Sequence, residues 1–313
     1  MTLTTTSTWS SQLLINYVTS IVRHLEPELQ FAKLGVKRDV PQGFATLAFP
    51  QSRQIATSSV TNITSGGEGV NPTAVAWNSD AYTSSATQYG LVIQVTDLLV
   101  RNSALEVVDN CALEVKYALS RQLDNALQTT VNGSTSGVLY AGGKASRAAL
   151  GAGDLVDTVT YTKGIRNLSA VNNNGLKPFV GGFYAVICHP NQEFDLMSNT
   201  SGGGWLDVGR YTSVSDLIAG RLGDFRGGRI MRSPNVQTYS STTTVYPMTF
   251  IGMESFGWGF FQPITPYIVT SPDSNNPLNV YTSIGGKFGL GVTRFEDTSS
   301  SYRIVRLESG VSA

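Results

Sequence analysis

The chain is short of charge, and of an excess of either sign. Only 14% of its 313 residues are Asp, Glu, Lys or Arg, against about 25% in ordinary soluble domains. The 22 basic residues balance the 22 acidic ones. That balance excludes a strongly basic nucleic-acid module as a reading of the whole chain, and a surface without net repulsion tends to associate. Cysteine and histidine are nearly missing, at two each. Cys111 and Cys188 are too few for a disulfide scaffold and fit no zinc spacing, so they read as small buried hydrophobes. No run of about 18 apolar residues offers a membrane span. Residues 1–6 lack the basic and apolar regions of a secretory signal. The expectation is a soluble protein made in the cytoplasm, whose Asn62 and Asn132 sequons are accidental. Disorder is excluded by 41% hydrophobic and 10% aromatic content, and the length suffices for two average domains.

Catalytic patterns are equally scarce. Gly142-Gly143-Lys144 and Gly285-Gly286-Lys287 carry the Gly-Lys of a phosphate loop, but Val138 and Tyr281 occupy the required upstream glycine position, and Ala145 and Phe288 replace the hydroxyl that would hold magnesium. No nucleophile elbow is present. Cys188 and His189 are neighbours on a strand end and point to opposite faces, so they cannot act as a pair. His24 reads as solvated. Asp224, Arg226 and Arg229, set among glycines, read as a turn with local ion pairs. The basic residues Lys33, Lys37 and Arg38, and Arg221, Arg226, Arg229 and Arg232, form no stripe interleaved with aromatics. They allow weak phosphate contact and no base readout.

What is there is a particular order of elements. Residues 1–8 are a Thr-rich arm, followed from Ser10 by a helix bearing Leu14, Tyr17, Val18, Ile21 and Leu25 on one face and broken at Pro27. Residues 36–95 hold no helix. Strands are predicted at 44–49 and 85–95 around the turn Gly66-Gly67-Glu68-Gly69. Sixty such residues are too long for a connection and too thin for a core of their own, so they predict a long flap that finds burial elsewhere. A long helix over 104–131, about 42 Å at 1.5 Å per residue, follows a capping box at Ser103 and Glu106, or a weaker start at Thr96-Asp97. Its apolar stripe includes Leu105, Val108, Val115, Leu119, Leu123 and Leu127, and Arg101, Asp109, Glu114, Lys116, Arg121 and Asp124 are assigned to an open face. Further helices are expected at 154–169, after His189 and at 214–219, and strands at 183–188, 229–232, 245–252, 266–270, 280–295 and 302–307. The mixture without βα alternation is α+β.

In order and spacing these features resemble the tailed-phage major capsid proteins with the HK97 fold, and more narrowly the N4 gp56-like major capsid family. The resemblance is carried by Leu25–Gly35 (LEPELQFAKLG), Gly67-Glu68-Gly69 with Pro72, Gln88-Tyr89-Gly90, Val95-Thr96-Asp97, Tyr184–Pro190 (YAVICHP) and Gly220–Ile230 (GRLGDFRGGRI). The Ser/Thr-rich 240s and 270s depart from the family pattern. The resemblance implies an N-arm at 1–35, an extended β-hairpin E-loop at 36–95, a P-domain with its spine helix at 96–152, an A-domain at 153–262 and P-domain return strands at 263–313. It further implies hexamers and pentamers of an icosahedral head around double-stranded DNA, contacted non-specifically, with assembly in the host bacterial cytoplasm. A separate scaffolding protein, a portal at one vertex and a decoration or cement protein are the partners it implies, and no catalytic residue, cofactor, metal or membrane. Gly66, Gly67, Glu68 and Gly69 are the candidate assembly contacts. Two rivals are an encapsulin-like compartment and, in another class, a secreted β-rich glycan-binding or hydrolytic protein using Trp205, Trp258, Tyr267 and Glu254.

Overall fold

The computed structural model describes residues 29–52, 55, 59–60, 73–102, 106–170, 175–198, 224–272, 276–295 and 301–311. The expected first helix, the Gly66–Gly69 turn, Trp205, Arg221 and the helical turn at 214–219 lie outside the described residues. Helices and strands alternate irregularly, as an α+β chain requires, and the strands form three sheets.

The first sheet has four strands in the order β1 (Val36–Lys37), β11 (Phe256–Val269), β12 (Tyr281–Arg294) and β4 (Thr87–Thr96). Sequence reasoning expected a strand only at 266–270 and a boundary at 262/263, yet β11 runs unbroken through that boundary. The strand carries Pro263 and Pro266. They are tolerated because register shifts fall between Phe260 and Gln262 and between Gln262 and Thr265, and a strand at a sheet edge can lack a donor on its outer side. Glycine alternates with aromatics along Phe256-Gly257-Trp258-Gly259-Phe260, which lets the incoming chain lie close. Arg38 N donates to Trp258 O at 2.8 Å and Val40 N to Phe260 O at 2.9 Å. A Cβ on Gly259 would sit 1.7 Å from Arg38 O.

Over one face of this sheet lies α3 (Val107–Asn132). It starts three residues later than predicted. Glu106 is its N-cap and makes no side-chain cap, and Ser103, the other half of the expected capping box, lies outside the described residues. The weaker start is occupied by a separate helix, α2 (Asp97–Asn102), with Leu99 N donating to Thr96 Oγ1. Val115, Leu119, Leu123, Leu127 and Val131, each four residues apart, are buried against Ile284, Phe288 and Leu290. At about 1.5–3 kcal/mol per buried side chain, this stripe outweighs any capping effect in placing the helix.

The second sheet runs β5 (Val138–Tyr140), β13 (Ile304–Ser309), β10 (Thr244–Ile251), β6 (Tyr184–Cys188), β8 (Gly228–Arg232) and β7 (Asp224–Phe225), with β9 (Tyr239–Ser240) on β10. Every residue of β6 and β13 is buried, matching the continuous apolar run read at 183–188. Helix α4 (Thr158–Ala170) packs here through Tyr161 and Leu168, and α5 (Pro190–Ser198) opens with proline at its first position. Sheet membership crosses the expected division at two places. Residues 138–140, expected with the spine helix, and 304–309, expected among the return strands, both pair within this second sheet.

The third sheet is the flap: β2 (Thr46–Ser52) paired antiparallel with β3 (Ser79–Ser85). Its own core is Leu47 and Phe49 against Phe295, with Tyr82 and Phe261 beside them. A two-stranded sheet is marginal in isolation, and this one is held only at its base.

Candidate assembly surfaces

The spine helix carries a second buried line that sequence reasoning missed. Asp124, Gln128 and Asn132 are also four apart, and all are buried. Asp124, assigned above to an open face, instead meets the incoming arm: its Oδ1 accepts Phe31 N at 3.2 Å. It thereby caps helix α1 (Phe31–Leu34) from another element, since Gln30 at the N-cap makes no cap bond of its own. Gln128 Nε2 donates to Asp124 Oδ2 at 3.3 Å and to Asn235 O at 2.7 Å, while its Oε1 accepts Gln237 N at 2.7 Å. Asn132 Oδ1 accepts Thr249 Oγ1 at 2.7 Å, from the second sheet. One polar ridge thus ties the arm, the 235–237 segment and the second sheet to the spine. Burial pushes the Asp124 carboxyl above its ordinary value, opposed by the bonds from Gln128 and from the Phe31 and Ala32 amides. The i,i+4 spacing beside the apolar stripe was the available signal.

A second fixed point closes the far side of the second sheet. Glu308 is fully buried on β13 and takes a bidentate pair from Arg147, Nε at 2.7 Å and Nη2 at 2.6 Å. Arg306 Nε lies 2.8 Å from the same carboxylate, out of line for a hydrogen bond, so that contact is electrostatic. Arg147 stacks 3.8 Å from the Tyr239 ring. The loop after α3 is therefore pinned by charge as well as by β5.

Side chains that could have carried chemistry are placed otherwise. Burial pushes the Cys188 thiol far up, and His189, its pKa lowered by burial, accepts Asn191 N through Nδ1 and packs on Tyr246. Arg226 (φ 47°) and Gly227 (φ 85°) form the turn between β7 and β8. There Arg226 donates to Thr162 and Arg229 stacks on Phe183 at 3.5 Å. Trp258 is core, under Lys37, and Tyr267 lies at the opposite end of β11 from Glu254, so the aromatic platform of a glycan-binding site does not form from them. Among the described residues no three of His, Cys, Asp and Glu converge as metal ligands, and no helix is long and apolar enough to cross a membrane.

The exposed apolar groups fall mainly on the flap and on the four-stranded sheet. Phe44 and Trp77 are 66% and 67% exposed on the flap, with Val75 half exposed. Leu91 and Val92 on β4, and Tyr267, Ile268 and Val269 on β11, form an open end of the sheet. A subunit that leaves so many large apolar groups uncovered is made to be covered by others.

The fold matches solved shells along its whole length. A chain of the cyanophage Pam1 capsid asymmetric unit superposes with a TM-score of 0.73 at 12% identity, over 97% of this chain and 98% of that one. The capsid of Ralstonia phage GP4 gives 0.70 at 12% identity over 96% of each chain. That of Helicobacter pylori bacteriophage KHP30 gives 0.70 at 11% identity over 96% of this chain and 97% of that one. At such identities the likeness is one of fold: the α+β, HK97-like subunit fold of phage capsids. No curated protein matches the sequence. Residues 80–298 match the family described as phage capsid protein, and the chain belongs to that family. It is a structural major capsid protein of the head shell, and not an enzyme.

Proposed function

We propose that the chain assembles into hexamers and pentamers of an icosahedral head enclosing double-stranded DNA, as a member of the N4 gp56-like group whose sequence segments it resembles. The observation that carries this reading is the flap of β2 and β3, which has a core only at its base and exposes Val75 and Trp77 beyond its far end. Such an element gains its burial from a neighbour. In this reading residues 1–35 are the N-arm and 36–95 the E-loop over an adjacent subunit, save that β1 and β4 at its two ends pair into the four-stranded sheet, which with α3 is the P-domain. The second sheet with α4 and α5 is the A-domain around the capsomer axis, which takes in 138–152 and 304–309 as well as most of 153–262. Gly66, Gly67, Glu68 and Gly69 belong to the bend of the E-loop, in contact with a neighbour.

The scattered Arg and Lys support weak, non-specific contact with packaged DNA, and no base readout. A separate scaffolding protein, a portal at one vertex and a decoration protein complete the reading, with assembly in the host cytoplasm. Negative-stain electron microscopy of the expressed chain is the test. Regular shells, tubes or capsomers are expected, and a monodisperse monomer under all conditions refutes the reading. Tailed, DNA-filled particles from infected cells distinguish a phage head from a compartment that encloses protein. A deletion of 62–72 that leaves stable, normal particles removes the E-loop bend from the contact.

A further inference from the structure

Helix α5 is turned inside out. Three of its four buried residues, Gln192, Glu193 and Asp195, are polar, and only Leu196 is apolar. Its other large apolar side chains, Phe194 and Met197, stand three apart and so on one side, and they are 64% and 39% exposed. A surface helix ordinarily buries its apolar stripe, so a buried acid under an exposed apolar pair is a departure that asks for a reason. Gln192 fixes the helix to the second sheet by hydrogen bonds. Its Nε2 donates to Tyr246 O and to Ser309 Oγ, both at 2.9 Å, and its Oε1 accepts His189 N at 3.3 Å.

Glu193 is seated without such bonds. Its side chain is 8% exposed, and among the described residues its Oε2 accepts no hydrogen bond. Arg232 Nε, at the end of β8, lies 3.9 Å from that oxygen on a side chain more than half exposed, so its pull is electrostatic and weakened by water. Cys188 of β6 stands opposite Arg232 in the sheet register and is fully buried. Burial and the Glu193 charge both push its thiol up. At the head of the helix His189 accepts Asn191 N through Nδ1 at 3.2 Å and packs on the Tyr246 ring. Asp195, two residues further along α5, is buried as well. Burial raises the Glu193 carboxyl above its ordinary value, with Arg232 opposing, and burial holds His189 below its own. The seat therefore favours both groups uncharged, and a charge on either weakens the hold on the helix.

We propose that the seat of α5 is a pH-sensitive latch, which tightens as Glu193 takes up a proton and loosens as it gives the proton up, and which thereby sets how firmly Phe194 and Met197 are presented to a neighbouring copy of the chain. The sign follows from linkage. A carboxyl whose folded pKa is raised contributes stability that is complete below its unfolded value and is lost as pH rises through the folded one. His189, held low, works in reverse and loosens the same turn as pH falls through its folded value. The apolar pair rides on the outer side of the helix that these two groups hold. The link to a neighbouring copy rests on the shell-protein reading and adds regulation to it.

Amide hydrogen exchange of the unassembled chain, scaled to the intrinsic rate at each pH, is the first test. Protection of the α5 amides relative to those of β13 should fall severalfold from about pH 5 to about pH 8. Glu193→Gln stays uncharged and should hold its protection across the range. Arg232→Gln removes the group that favours the charged form, so its fall should begin at a higher pH, whereas loss of a merely structural ion pair would lower protection at every pH. That variant keeps the question answerable if Glu193→Gln misfolds. His189→Asn cannot titrate and retains an acceptor for Asn191 N, and it should keep the fall. A fall of wild-type size in Glu193→Gln, or one that begins at lower pH in Arg232→Gln, overturns the inference. In assembled shells, the drop in thermal midpoint over the same pH range should be smaller for Glu193→Gln than for wild type, and equal drops overturn the link to the assembly surface. The exchange outcomes need no assembly, so a chain that never forms shells refutes the shell reading and leaves the latch to be decided by exchange.

Discussion

Replacing Asp124 with alanine isolates the contact that fixes where the arm leaves the body. The substitution removes the acceptor of the Phe31 amide and one of the two acceptors of the Gln128 amide, both in a dry setting. A buried donor left unpaired costs about 1–3 kcal/mol. Gln128 keeps its bonds to Asn235 and Gln237, so the Phe31 amide bears most of the cost. Against this, alanine also removes a carboxylate that burial disfavours, as the raised pKa records. The net expectation is a loss of about 1–2 kcal/mol, concentrated at α1 rather than spread through the fold. Amide hydrogen exchange reads it directly: the Phe31 and Ala32 amides should exchange roughly five- to thirtyfold faster in Asp124→Ala, with the β6 and β13 amides unchanged. Equal protection of Phe31 and Ala32 in both proteins would refute the capping role. The pH dependence has a definite sign. A carboxyl whose folded pKa is raised contributes most to stability below its unfolded pKa, and that contribution is lost as pH rises through the folded value. Asp124→Asn cannot titrate, so its stability relative to wild type should rise with pH across that window and then level off.

Two further substitutions probe the frame that presents the assembly surfaces. Glu308→Ala strands Arg306, almost wholly buried beside it, and frees Arg147. Breaking a buried pair from one side costs about 3–5 kcal/mol, so purified particles should show a clearly lowered thermal midpoint, and an unchanged midpoint would deny that Glu308 organises the loop. Gly259→Ala drives a methyl into the Arg38 carbonyl and should lift residues 38–40 off β11. Two hydrogen bonds at about 0.5–1.5 kcal/mol each then go, and trypsin should cut after Lys37 or Arg38 severalfold faster than in wild type. Gly90→Ala, with open contacts, is the control that should cut at the wild-type rate.

The elements that periodicity could reveal are those whose partners lie within the subunit. The α3 stripe and the alternation along β4 each report one buried face, the apolar run at 184–188 reports a strand buried on both, and each forms near its expected place. What failed were assignments that depend on a partner distant in sequence. Asp124 looks like a surface acid until the Phe31 amide, 93 residues away, is placed on it. The stretch 256–265 is not legible as strand, because nothing local reveals that β11 is bulged and has a free edge there. Trp258 and Tyr267 share a strand and an aromatic character, yet one is core and the other half exposed. Only the sheet's covering decides which. The flap was legible only in part: sixty residues without enough apolar content for a core imply burial elsewhere, but the strand that pairs with β2 is Ser79–Ser85, and the strand expected at 85–95 is β4 of the four-stranded sheet.

That same reasoning explains the scarcity of charge. An aromatic side chain carries about 150–250 Å² of burial, so Trp77, two-thirds exposed in the lone subunit, has roughly 100–170 Å² left to cover. At about 25 cal/mol per Å² one insertion yields some 2.5–4 kcal/mol, no more than a millimolar contact. A single such joint opens readily, which lets misplaced subunits leave. Closing a ring makes every joint intramolecular and the whole persistent. The margin also sets the composition. One uncompensated charge trapped in such a joint costs several kcal/mol, as much as the joint provides. A subunit that uses much of its surface for joints of this strength can carry few charges, and those it buries, such as Glu308 between Arg147 and Arg306, are paired within the subunit before any neighbour arrives.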